Sequence, residues 1–146
     1  MSGLWSGPSS WKTHSVKGGN GVTLFVKEAG NPDGKPLLFI HGYSLSHLVW
    51  TKQFRSPLAE QFRLVAMDLR GHGYSEKPLQ QYGDSRLWAD DVRAVTEELG
   101  LNRPVLIGWS YGGRVILDYI RCYGDDRIGG IHFIGIGSRQ NRNMER

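Results

Sequence analysis

Cysteine is nearly absent from this chain. A single residue, Cys122, excludes an intrachain disulfide and fits a reducing compartment, so a cytoplasmic location is expected. It falls inside a helical pattern and reads as a small apolar packing residue. No apolar run approaches the length that crosses a bilayer, so no membrane partner is expected. Positive charge is in modest excess, 18 Lys and Arg against 14 Asp and Glu for a net +4. It is not gathered on one segment; the longest cationic cluster is the diffuse set Arg139, Arg142 and Arg146. A nucleic-acid partner is therefore not expected either. Met1 to Trp11 lacks both a basic n-region and an apolar h-region, which argues against a secretory signal there. No cofactor and no metal site is expected.

What is present suits one globular domain. The chain has 146 residues, 39% hydrophobic and 11% aromatic, enough for a real core. Residues 1–19 read as a loose leader rich in Ser, Gly and Pro. Residues 20–137 read as the domain, and residues 138–146 as a tail leading toward further structure.

Strand and helix patterns alternate along the domain. Residues 13–28 read as a hairpin around Gly18-Gly19-Asn20-Gly21. Pro36 to Ile40 is a continuous apolar run, as expected of a strand buried on both faces. The pattern predicts a helix over about 46–60, with Leu48, Trp50, Phe54 and Leu58 facing the core. A strand follows over 62–67. Trp88, Val92, Val95 and Leu99 then fall on one face of a helix over 84–99, which Gly100 stops. A strand at 104–107, a helix at about 111–123 and a strand at 131–134 complete the series. Such alternation predicts an α/β fold, a mostly parallel doubly wound sheet with helices on both faces.

The most specific signal is Gly108-Trp109-Ser110-Tyr111-Gly112-Gly113. It lies between a strand pattern and a helix pattern, the context in which G-x-S-x-G denotes a sharp turn presenting a nucleophile. The glycines have a mechanical reason. Side chains at 108 and 112 would collide with neighbouring backbone, and Gly113 lets the helix pack closer. The helix beginning after Ser110 aims its free N–H groups and positive dipole end at the hydroxyl, making the Tyr111 N–H an oxyanion donor. A second turn, His41-Gly42-Tyr43-Ser44, ends another buried strand. Ligand sites in open parallel sheets form at such strand ends, so the Tyr43 N–H is a candidate second donor.

These motifs, with Asp68-Leu69-Arg70-Gly71-His72-Gly73-Tyr74-Ser75 between them, make the chain resemble the N-terminal half of an α/β-hydrolase. The match is closest to the serine esterase, lipase and cofactor-free haloperoxidase branch. The resemblance spans about residues 20–137 and implies a fold truncated after its sixth strand. It makes Ser110 the nucleophile, Tyr43 and Tyr111 the oxyanion hole, and His41, Gly42, Gly108, Gly112 and Gly113 structural. It also makes His72 structural, and gives Asp68 and Arg70 a loop-bracing role, read here as a local salt link. The serine argues against the haloalkane dehalogenase and epoxide hydrolase branches, whose nucleophile is an aspartate.

In this fold the triad acid and histidine follow the serine in the chain. After Ser110 the acids are Asp118, Asp125, Asp126 and Glu145, and the one histidine is His132. Asp118 is placed well along a helix, Asp125 and Asp126 at the far end of the sheet, and His132 in mid-strand as a core or interface residue. The expected function is thus a serine hydrolase of carboxylic esters or related acyl bonds, present here as an incomplete chain without its acid and base. The substrate is expected to be a small hydrophobic ester, and the bare last strand to favour self-association. The alternative is a non-catalytic α/β-hydrolase-like binding or interaction module.

Overall fold

The structure, a computed structural model, describes residues 11–135. Six strands form one sheet: β1 (Lys12–Lys17), β2 (Thr23–Gly30), β3 (Lys35–Ile40), β4 (Phe62–Met67), β5 (Val105–Trp109) and β6 (Gly130–Ile134). Their order across the sheet is β1-β2-β4-β3-β5-β6. The β1–β2 and β2–β4 pairs are antiparallel. From β4 to β6 every neighbouring pair is parallel. Leader and tail meet different fates. The sheet begins at Lys12, so the boundary expected at residue 20 is too late by a whole strand. The expected tail over 138–146 lies outside the described residues.

The hairpin between β1 and β2 closes where the turn residues place it, with the Gly18 N–H donating to the Val22 carbonyl at 2.8 Å. Helices cover both faces, each fed by one side of the alternating strands. On one face α3 (Ser85–Glu98) and α4 (Tyr111–Tyr123) pack together over Leu24, Val26, Leu38, Ile40, Val65, Met67 and Leu106. Trp88, Val92 and Val95 of α3 are fully buried there, as their spacing predicts, while Leu99 is half-buried at the rim. Asp84 caps α3 by accepting the Arg86 N–H at 2.9 Å. The helix ends where Gly100 takes φ +62°, a left-handed stop. Each fully buried aliphatic side chain in this layer contributes roughly 1.5–3 kcal/mol.

On the other face the helix expected over 46–60 is not continuous. A 3-10 turn over His47–Trp50 runs into two short helices, α1 (Thr51–Phe54) and α2 (Leu58–Gln61). Pro57 disfavours helical backbone at Ser56 and breaks the pattern. The break also divides the expected core set. Trp50 and Phe54 are buried against Phe39, but Leu48 and Leu58 turn to solvent.

Strand β6 is the sheet's edge within the described residues. Ile131, His132, Phe133 and Ile134 are all exposed, so His132 is an exposed residue here and not a core one. Among the described residues no helix is long and apolar enough to cross a membrane.

Candidate functional site

Parallel register sets the site. Ile40 aligns with both Met67 and Gly108, so β3, β4 and β5 end at the same edge of the sheet. The loops His41–Ser44 and Asp68–Ser75 and the turn at Ser110 therefore converge. Their side chains meet there: the Tyr43 ring lies 5.8 Å from that of Tyr111 and 5.4 Å from that of His72, edge to face in both cases.

Ser110 joins β5 to α4 with φ 55° and ψ −113°, a conformation costing a non-glycine residue about 1–3 kcal/mol. Its N–H is anchored to the Ile134 carbonyl at 3.0 Å, and its carbonyl accepts the Gly113 N–H at 2.9 Å. The residue is exposed, and its hydroxyl has no hydrogen-bond partner among the described residues. Close approach explains the neighbouring glycines. A Cβ at Gly112 would stand 2.1 Å from the Ile40 carbonyl oxygen, and one at Gly108 2.7 Å from the Gly113 nitrogen. A Cβ at Gly42 would meet the Trp109 carbonyl oxygen at 3.2 Å and the Ser110 Cβ at 3.6 Å. That places the His41–Ser44 turn directly beside the serine.

His41 is fully buried and both its ring nitrogens are committed. Nε2 accepts the Leu69 N–H at 3.0 Å, so the proton sits on Nδ1, which donates to the Gly42 carbonyl at 2.7 Å. The same carbonyl accepts the Leu45 N–H at 3.2 Å. In a trans peptide the carbonyl and the following N–H point in opposite directions. Drawing the Gly42 carbonyl inward turns the Tyr43 N–H outward. Neither that N–H nor the one on Tyr111 donates to any described residue. Burial holds the His41 pKa down to about 4 from 6.5, with the like charge of His72 adding to the effect.

Two buried carboxylates brace the second loop. Asp68 does not pair with Arg70, contrary to the expected local link, because the two side chains leave the loop toward different layers. Asp68 accepts the His47 N–H at 2.6 Å, the His47 Nδ1–H at 2.9 Å and the Tyr74 N–H at 2.9 Å. Burial alone would raise its pKa; these hydrogen bonds outweigh burial and hold it below the usual carboxylate range. Arg70 is fully buried and takes Asp91 of α3 as its partner, through Nε at 2.7 Å and Nη2 at 2.9 Å. It also donates to the carbonyls of Gly19 and Gln81. Asp91 falls on the apolar face of α3 among the buried residues, and a lone carboxylate at such a position is the sequence signal for a buried cation.

None of the described acids after Ser110 bonds to the serine, and Glu145 lies outside the described residues. Asp118 is mostly buried in α4 and pairs with Arg121 at 3.2 Å. Asp125 and Asp126 lie exposed in the turn before β6. Among the described residues no cluster of three or more metal-ligating side chains forms.

Comparison with known proteins identifies the fold family. Residues 35–145 match the alpha/beta hydrolase fold family. The chain is 38% identical over 107 residues to the AB hydrolase superfamily protein YisY of Bacillus subtilis, covering 73% of this chain and 39% of that protein. It is 39% identical over 109 residues to the bifunctional esterase/perhydrolase DCH of Acinetobacter calcoaceticus, covering 75% and 39%. The crystal structure of a putative aryl esterase from Burkholderia cenocepacia superposes with a TM-score of 0.82 at 46% identity, covering 84% of this chain and 46% of that one. Other relatives include non-heme haloperoxidases and a soluble epoxide hydrolase. The chain thus spans less than half the length of these relatives. With a serine at the sharp strand-to-helix turn and the match over residues 35–145, the chain belongs to the alpha/beta hydrolase fold family.

Proposed function

We propose that Ser110 is the nucleophile of a serine hydrolase that cleaves carboxylic esters or related acyl bonds. The observation that carries this reading is the strained, exposed serine beside two backbone N–H groups that donate to no described residue. Its Oγ attacks the ester carbonyl carbon, and the carbonyl oxygen takes up the negative charge. The Tyr43 and Tyr111 N–H groups donate to that oxygen, at the positive end of α4. One such donor is worth roughly 3 kcal/mol of transition-state stabilisation. Expulsion of the alcohol leaves an acyl-serine, which water then cleaves. The relative named as an esterase supports the acyl chemistry, and the exposed Tyr43, Leu45 and Trp109 favour small hydrophobic esters.

The base and acid come, in this reading, from polypeptide outside residues 11–135. His41 has no free nitrogen. The imidazole–carboxylate pairs His47–Asp68 and His14–Glu28 are spent elsewhere, the first packed against Phe25 and Tyr74. Residues 12–135 then serve as the nucleophile-bearing part of the domain, and the exposed β6 edge pairs with further chain or with a second copy. Because no described imidazole reaches Ser110, a non-catalytic binding module is the second reading. Hydrolysis of p-nitrophenyl acetate by the protein with that further polypeptide present separates them: turnover that falls to background in Ser110→Ala supports the hydrolase, whereas a folded protein with no turnover supports the binding module.

A further inference from the structure

Beside the serine lies a pocket of about 390 Å³ whose walls include Tyr43, His72, Tyr82, Trp88 and Tyr111. Two of these, Tyr43 and Tyr111, carry the N–H groups assigned above to the oxyanion, so the pocket opens on one side of the reacting carbonyl. Its volume falls in the range of small-molecule sites. It exceeds the roughly 150 Å³ of an apolar cavity that takes up benzene, leaving room for a linker toward Ser110.

The walls are aromatic and held in place. Trp88 is buried, its indole N–H donates to the Tyr82 carbonyl at 3.0 Å, and its ring meets Tyr111 edge to face at 5.4 Å. The Tyr82 ring lies over Gly71, where a Cβ would stand 2.6 Å from it. Edges and faces presented by such rings favour an aromatic guest.

One wall is polar. His72 is half-buried, and its Nδ1 lies 2.8 Å from the Arg70 carbonyl oxygen. A carbonyl only accepts, so Nδ1 carries a proton, and in the neutral ring Nε2 is left as an acceptor. Nε2 has no partner among the described residues. Ser44 and the three tyrosines add hydroxyls that can donate or accept; His72 Nε2 is the one lining side-chain group that only accepts, and it fits an aromatic ring bearing a hydrogen-bond donor.

We propose that this pocket binds a hydroxyl-bearing aromatic ring of the substrate, with His72 Nε2 accepting the ring hydroxyl. This makes hydroxyaryl esters the preferred substrate class and His72 a specificity-determining residue. The ester part rests on the reading of Ser110 as the nucleophile; the ring site does not.

Binding without turnover tests it. The chain is titrated with phenol and with anisole, which has the same ring and no donor, by calorimetry. Phenol should bind tighter by about fivefold, the worth of one neutral hydrogen bond. His72→Phe should bring phenol down to the anisole level, and Tyr82→Ala should weaken both. Nitrogen-15 spectra of the wild-type imidazoles give a check that needs no variant: His72 Nε2 should respond to phenol and not to anisole. Equal affinities, or a phenol preference that survives His72→Phe, would overturn the assignment. Phosphonylation of Ser110 is measured separately, so failure of the ring site and failure of the nucleophile are distinguishable.

Discussion

The Nε2 of His41 accepts the Leu69 N–H at 3.0 Å, and this bond decides where the imidazole proton resides. A protonated His41 has no lone pair for Leu69 and sits charged in the core. Its pKa is about 4 in the folded chain against an ordinary 6.5. Between those values the unfolded chain binds a proton that the folded chain does not. Stability therefore rises with pH across that window and is lost as pH falls through it, by about 3 kcal/mol at full extent. Urea unfolding of the wild type from pH 6.5 to 4 should show this slope. His41→Gln is expected to be less stable at neutral pH and to show a flatter slope over the same range.

Arg70 and Asp91 should behave as a pair. Both are fully buried, and removing one partner strands the other charge in the core. Asp91→Leu and Arg70→Met are each expected to cost about 3–5 kcal/mol. The double change Arg70→Met with Asp91→Leu should cost well under the sum of the two single changes, because no charge is left unpaired. Chemical denaturation of the three variants measures the coupling.

Gly112 and Gly83 make a sharp contrast on the same scaffold. A Cβ at Gly112 meets the backbone oxygens of Ile40 and His41, neither of which can swing away, while one at Gly83 meets nothing within 4 Å. Gly112→Ala should destabilise by about 3 kcal/mol or more, the upper end for overpacking. Gly83→Ala should stay within about 0.5 kcal/mol of wild type. Thermal unfolding of the two variants side by side checks both.

The sheet and the convergence of its loops were legible because each rests on short-range signals. Pro36 to Ile40 and the apolar run before Gly108 announce buried strands. The spacing of Trp88, Val92 and Val95 announces α3, and the glycines around Ser110 announce a tight turn. What was not legible depends on contacts between distant residues. Nothing local tells Arg70 to choose Asp91, 21 positions on, over the nearer Asp68. The broken helix over 46–60 is a different case: Pro57 is in the sequence, but the apolar spacing continues across it and hides the break it imposes. The strand at Lys12–Lys17 reads as half of a hairpin, but its polar residues give no local sign that it joins the sheet rather than a leader. The pocket by His72 was invisible for the reason that Arg70 was: its walls come from four separate segments.

Phosphonylation is the most direct test of Ser110 as the nucleophile. The protein, together with the polypeptide that in the proposed reading supplies the base and acid, is incubated with a fluorophosphonate probe, and the modified residue is located by peptide mapping. Modification should accumulate on Ser110 ahead of every other serine and tyrosine, and Ser110→Ala should abolish it. Modification spread over other residues, or unchanged in Ser110→Ala while the protein remains folded, would contradict the assignment.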